Sequence, residues 1–157
     1  MAIYLIQNKN RCVVGFRDPD LQIYSIIAYV VRYRAGTFVN FSLPTITFRH
    51  HDTKTVLDVS DGLKKIVNYA ARQKGSGAPR FISKTRTPVW SADGKRVVLS
   101  IFERKTDPYI EARVEDDGFV RWTIFGFSFN DDTASAVRYV AALERMPEYA
   151  KQLAQPQ

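Results

Sequence analysis

The sequence predicts an α+β fold: two antiparallel four-stranded meanders, each followed by one helix, in the order ββββα-ββββα. Three observations carry that expectation. Short apolar runs alternate with turn residues, one stretch of sequence recurs, and a stripe at helical spacing follows each occurrence. Turns as short as Asn8-Lys9-Asn10, Ala35-Gly36 and Asp116-Asp117-Gly118 favour antiparallel neighbours, because parallel strands need a long crossover between them.

In the first copy, strands are expected at 3–7, 12–16, 22–33 and 37–48, parted by Asn8-Lys9-Asn10, Asp18-Pro19-Asp20 and Ala35-Gly36. In the second they are expected at 88–91, 96–103, 109–115 and 119–129, parted by Ala92-Asp93-Gly94, Thr106-Asp107-Pro108 and Asp116-Asp117-Gly118. The recurrence sets 38–48 against 119–129 without a gap. Phe38/Phe119, Val39/Val120 and Phe48/Phe129 are identical, and Phe41/Trp122, Leu43/Ile124 and Ile46/Phe127 are alike in chemistry. Val56, Val59, Leu63, Ile66 and Ala70 then fall at helical spacing, on a helix opening near Asp52-Thr53 or at Ser60; 54–59 also reads as a fifth strand. In the second helix Asp131 or Asp132 serves as cap, Ala136, Val140 and Leu143 form the stripe, and Pro147 lies near the end. The chain is thus expected to be a single domain, with one repeat at 1–73, a joint at 74–87 and a second repeat at 88–157.

One helix covers only one face of a meander, and the other face is not properly polar. Phe119, Phe125, Phe127 and Phe129 alternate with Val120, Trp122 and Ile124, and strand 22–33 is apolar on both sides as well. Sheet-on-sheet packing between copies or subunits is the expected explanation, which implies a homo-oligomer, a dimer or tetramer.

Composition narrows the function. With 45% apolar residues the chain can bury a core, which excludes disorder as a description of the whole. A net charge of +7 beside 13% aromatic residues points to a polyanion with unpaired bases, since phosphates seek Lys and Arg while bases stack on rings. Cys12, the single cysteine, allows no disulfide within the chain and no Cys-based zinc site, and it reads as a core thiol in a reducing compartment. The apolar start is too short for a signal peptide, and the apolar run 23–31 is too short to span a bilayer, so a cytoplasmic protein is expected.

The charge is uneven. Residues 1–91 hold 14 Lys and Arg against 5 Asp and Glu, whereas 92–157 hold 9 against 11. The joint concentrates it: Arg72, Lys74, Arg80, Lys84 and Arg86 occur without an acid among them, around a stretch rich in Gly, Ser and Pro, 73–80, that is followed by Phe81 and Ile82. Such a segment reads either as a phosphate clamp or as a solvated tether. Elsewhere Arg17 follows Phe16, Arg32 and Arg34 flank Tyr33, and Arg121 precedes Trp122. The expected nucleic-acid-binding residues are therefore Arg17, Arg32, Arg34, Lys74, Arg80, Phe81, Lys84, Arg86, Arg121 and Trp122.

The sequence contains no P-loop, GxGxxG or GxSxG motif. His50-His51 points its two rings oppositely on a strand, Asp116-Asp117 belongs to a turn, and Asp131-Asp132 to a helix cap. No catalytic residue, metal or cofactor is expected, and no helix-turn-helix or zinc finger supports duplex reading.

A four-strand meander plus helix, present twice, resembles the Whirly fold and its single-copy relatives among single-stranded-DNA-binding transcriptional coactivators. The lysine-glycine-lysine-alanine motif of plant Whirly proteins is absent; the corresponding strand reads Cys12-Val13-Val14-Gly15-Phe16, so no binding residue is carried over. More loosely, in size, basic character and strand content, the chain resembles the Drc-type single-stranded-DNA-binding RNA polymerase cofactors of certain bacterial viruses. These resemblances imply a viral replication or transcription cofactor that binds single-stranded DNA, or alternatively RNA, beside an RNA polymerase in the host cytoplasm. The rival expectation is a protein-interaction module, such as a viral inhibitor of a host protein, using an apolar sheet face.

Overall fold

The computed structural model describes residues 2–17, 23–50, 53–74, 79–81, 86–102 and 108–153. Its elements, in chain order, are β1 (Ala2–Gln7), β2 (Arg11–Arg17), β3 (Ile23–Tyr33), β4 (Gly36–Leu43), β5 (Ile46–His50), α1 (Lys54–Lys74), β6 (Val89–Trp90), β7 (Arg96–Ser100), β8 (Tyr109–Val114), β9 (Val120–Ile124), β10 (Phe127–Asn130) and α2 (Thr133–Ala150). The protein is α+β, with two antiparallel five-stranded sheets and two helices. Sheet A runs β1-β2-β3-β4-β10 and sheet B runs β5-β9-β8-β7-β6.

Each sheet therefore contains a four-stranded meander and a fifth strand that, along the chain, reads as the continuation of its predecessor. The expected strand 37–48 breaks after Leu43, where Pro44 has no N–H to continue a ladder, and resumes as β5 in the other sheet. The expected strand 119–129 breaks at Phe125-Gly126 in the same way, and β10 crosses back to pair with β4. The alignment of 38–48 with 119–129 carries one set of register pairs onto the other. Phe127↔Leu43, Ser128↔Ser42, Phe129↔Phe41 and Asn130↔Asn40 in sheet A match Ile46↔Ile124, Thr47↔Thr123, Phe48↔Trp122 and Arg49↔Arg121 in sheet B.

This crossing resolves much of the two-sided apolar character. Phe41 and Leu43 face the core before the break, Ile46 and Phe48 after it, so the buried face changes parity. Trp122, Ile124 and Phe129 do the same on the partner strand. An intrachain switch of sheets, rather than packing between subunits, accounts for these side chains.

The helices fill the space between the inner faces. Val56, Val59, Leu63, Ile66 and Ala70 are all buried, and α1 begins at Lys54, so 54–59 is helix and not a fifth strand. It packs on β2, β3 and β4, while α2 packs on β7, β8 and β10 and against α1. Gly62 sits where β2 crosses α1, and a Cβ there would collide with the Phe16 ring and with Val14 Cγ1 at 2.9 Å. Asp132 caps α2 by accepting from the Ser135 N–H at 3.0 Å. Asp131, in the left-handed region at φ 58, accepts instead from the Val39 N–H at 3.0 Å and ties the helix start to β4. Pro147 lies inside α2.

Two phenols pin the crossing. Tyr24 donates to the Thr47 carbonyl at 2.7 Å, joining sheet A to sheet B, and Tyr139 of α2 donates to the Phe125 carbonyl. Burial pushes the Tyr139 phenol well above its usual range, so it stays protonated as a donor. Gly126 donates to Thr45 Oγ1 at 2.9 Å, and a Cβ on it would lie 2.5 Å from the Leu43 carbonyl oxygen and 2.6 Å from Pro44 C.

Gly126→Ala is expected to destabilise the protein by about 3 kcal/mol in urea unfolding, because the added methyl meets backbone on several sides. Gly62→Ala should cost less, since its nearest neighbours are side chains that can give way. A Gly126→Ala protein as stable as the parent would show that the crossing is loosely packed.

Candidate nucleic-acid interface

The outer face of sheet B carries a row of arginines that the register places side by side. Arg49 on β5 pairs with Arg121 on β9, Arg121 with Arg113 on β8, and Arg113 with Arg96 on β7. Strands lie about 4.8 Å apart, so the row spans about 15 Å. These positions face outward because their neighbours face inward: Ile46 and Phe48, Val120 and Trp122, Ala112 and Val114, Val97 and Leu99 are all buried.

Like charges directly opposite one another repel, and three carboxylates offset part of that cost. Glu115 Oε1 lies 3.0 Å from Arg49 Nε and 3.1 Å from Arg121 Nε, as charge contacts rather than aligned hydrogen bonds. Asp117 pairs with Arg49, whose guanidinium also lies over the Phe119 ring, 5.0 Å from its centroid. Glu111 takes Arg96 on both oxygens, at 2.9 and 3.1 Å, and stands 3.7 Å from Arg113. Arg113 is the most exposed of the four, at 56%, and among the described residues that long contact is its ion pair. Four guanidinium groups against three carboxylates leave the face cationic.

Asp117 is firmly ionised. The Phe119 N–H, then the Arg49 guanidinium, hold Asp117 below its ordinary range. Hydrogen bonding to Asp117 and Glu111 respectively raises Arg49 and Arg96 further above their usual values. Farther along the same face, Tyr109 follows Arg113 and Glu111 in alternation on β8, and its ring lies 4.1 Å from that of Phe125. Sheet B thus presents a cationic row and a ring pair on one surface.

The corresponding row of sheet A is Arg11, Tyr29, Asn40 and Asn130, with one cation. Its surroundings are apolar: Ile6 and Val13 pair, Val13 pairs with Ile27, and Val31 with Phe38. Tyr29 is 43% exposed and Tyr33, 5.7 Å from the Phe38 ring, is 65% exposed.

The residues expected from sequence are scattered among these surfaces. Arg121 lies in the arginine row. Trp122, its neighbour, is a correction: it is fully buried, stacked on Phe48 at 6.2 Å and 17°, and offers no ring to a base. Arg17 ends β2 and is exposed, as is Arg34 in the β3–β4 turn. Arg32 is exposed but engaged, donating to Asn10 Oδ1 at 2.7 Å and to the Lys9 carbonyl at 3.4 Å. In the joint, Arg80 is exposed, while Phe81 packs half-buried on the core with Lys64 Nζ 5.7 Å above its ring. Arg86 is half-buried, and its carbonyl accepts from the Tyr149 hydroxyl at 3.3 Å. Lys74 ends α1, and its side chain and Lys84 lie outside the described residues.

Arg49, Arg96 and Arg113 were missed. Each alternates with buried residues in its strand, which marks it as outward-facing, but only strand register makes the four adjacent. The acidic balance of 92–157 concealed a cationic face built mainly from that half. Comparison with models of protein families, with curated proteins and with solved structures finds no match.

Asp117 titrates below its ordinary value of 3.8, so its partners contribute stability above that pH and lose it as the pH falls through the folded value. In a carbonyl-detected NMR titration, Arg49→Gln is expected to raise the Asp117 pKa only part of the way back, because the Phe119 N–H remains. A full return to 3.8 would show that Arg49 alone sets it.

Proposed function

We propose that this protein is a non-enzymatic, sequence-tolerant single-stranded nucleic-acid-binding protein, with DNA the preferred ligand. The observation that carries the reading is the arginine row on sheet B. A stable fold gains nothing from setting four like charges in register, and a phosphate backbone is the ligand whose charge repeats on that scale. The ring pair Tyr109/Phe125 on the same surface supports bases that are free to stack, which a duplex does not offer. The exposed Arg80 and the basic joint are a second, separate candidate for phosphate contact. A place beside an RNA polymerase, as a viral replication or transcription cofactor, rests on the sequence resemblance and on the size and charge of the chain.

Fluorescence anisotropy with labelled oligo(dT), oligo(U) and a hairpin duplex tests this. Affinity should be highest for single strands and fall steeply with salt. Arg113→Gln/Arg121→Gln is expected to weaken binding and flatten the logarithmic salt slope by about 0.7 for each phosphate no longer neutralised. Glu115→Gln should act oppositely and tighten binding, because it releases Arg121 and leaves Arg49 to Asp117 alone. Replacing Lys74, Arg80, Lys84 and Arg86 together with Ala measures the share of the joint separately. Salt slopes unchanged in both multiple variants would remove the phosphate-binding reading.

A protein-interaction role is favoured by a different observation, the outer face and edge of sheet A. Leu5 and Ile6 of edge strand β1 are 47% and 52% exposed, and β1 carries neither Lys nor Pro to discourage pairing. Self-association through this edge would make the protein a homo-oligomer. Light scattering at micromolar concentration should then give a dimer or larger, and Ile6→Lys should give a monomer; a monomeric parent would rule this out.

A further inference from the structure

The arginine row ends against the β6–β7 turn. Ser91 stands opposite Arg96, donating its N–H to the Arg96 carbonyl at 3.0 Å and accepting the Arg96 N–H on Oγ at 3.0 Å. The Ser91 hydroxyl donates to Asp93 Oδ1 at 2.5 Å, which also accepts the Lys95 N–H at 3.0 Å. Gly94, at φ 71, closes the turn. Val114 donates to the Lys95 carbonyl at 2.8 Å, fastening the turn to the end of β8. Between them lies a notch of about 260 Å³ lined by Ser91, Asp93, Lys95, Arg96, Arg113 and Val114.

We propose that this notch seats the terminal phosphate monoester of a single strand laid along the row, an inference that rests on the nucleic-acid reading above. Lys95, Arg96 and Arg113 line it against Asp93; Glu111 already holds Arg96 on both oxygens, which leaves Lys95 and Arg113 as the cations that face an anion there. Asp93, the one carboxylate of the lining, stays ionised, and its Oδ1 already accepts the Ser91 hydroxyl and the Lys95 N–H. A monoester suits this environment better than an internal diester. It carries about 1.5–2 negative charges and three free oxygens, enough to engage Lys95 and Arg113 together. Volume points the same way. The notch is smaller than the roughly 300–1,000 Å³ of pockets that enclose drug-sized ligands, but it accommodates a phosphate with its sugar. Position points the same way: the notch lies at the β7 end of the row, beside the edge strand β6, so a strand following the row leaves the sheet there.

The full-length protein is tested with internally labelled oligo(dT) of about 12 nucleotides carrying a 5′-phosphate, a 3′-phosphate or hydroxyls at both ends, with thymidine monophosphate as competitor. One of the two phosphorylated forms should bind about tenfold more tightly than the hydroxyl-ended strand, as expected for one or two added charge-assisted hydrogen bonds. Lys95→Gln should abolish that preference, so that in this variant the phosphorylated and hydroxyl-ended strands bind equally. Lys151→Gln, a control on an exposed cation elsewhere, should keep the preference. Equal affinity of all three strands, with binding still salt-dependent, would overturn the notch assignment and leave the nucleic-acid reading standing. No binding of any strand would overturn both. Thymidine monophosphate binding as tightly as the phosphorylated strand would overturn the strand-end assignment in favour of a free-nucleotide seat.

Discussion

The exchange of strand segments at the crossing holds the rest of the structure in place. Leu43 and Ile124 end their strands, Ile46 and Phe127 begin the next ones, and each new segment pairs with the strand the other has just left. Neither sheet is complete without a segment that follows the other meander's last strand. Packing there is tight enough that Gly126 has no room for a Cβ, and the Tyr24 and Tyr139 phenols satisfy backbone carbonyls on both sides. Both hydrogen bonds are half-buried, where an unpaired carbonyl would cost stability.

The crossing also decides which residues see solvent. By changing parity at each break it sends Phe41, Leu43, Ile46, Phe48, Trp122, Ile124 and Phe129 into one core with the two helices. What remains outside differs sharply between the sheets. Sheet A turns out Ile27, Tyr29, Val31 and Tyr33 with a single cation in its central row, whereas sheet B turns out arginine on four adjacent strands of its row. One architecture therefore yields an apolar, aromatic surface and a cationic one.

The arginine row is a local cost that the core can sustain. Trp122, Ala112 and Val97 lie fully buried one residue away from Arg121, Arg113 and Arg96, fixing the strands so that repulsion cannot spread the guanidinium groups apart. Glu115, Asp117 and Glu111 reduce the repulsion without cancelling it, and they orient the groups they touch. Arg113, loosely held and exposed, is left with the most freedom to meet an anion. On the proposed reading the same carboxylates would compete with an anionic ligand and so lower its affinity.

By itself the sequence determined the meanders, the two helices and the recurring block, because alternation, turn residues and helical spacing are local signals. Val56, Val59, Leu63, Ile66 and Ala70 are buried together as their spacing requires, and Asp132 caps α2 through the next turn. It also held the general cationic character, but placed it in the joint and beside Trp122, since charge counts and neighbours along the chain say nothing of register. Only the tertiary structure broke 37–48 and 119–129 into segments of different sheets, because that choice depends on what each half pairs with across the molecule. The same choice buried Trp122 and set Arg49 beside Arg121, which lie far apart in the chain but directly opposite each other in the sheet. Adjacency across strands is a property of pairing, and pairing is decided by the whole core rather than by any one segment.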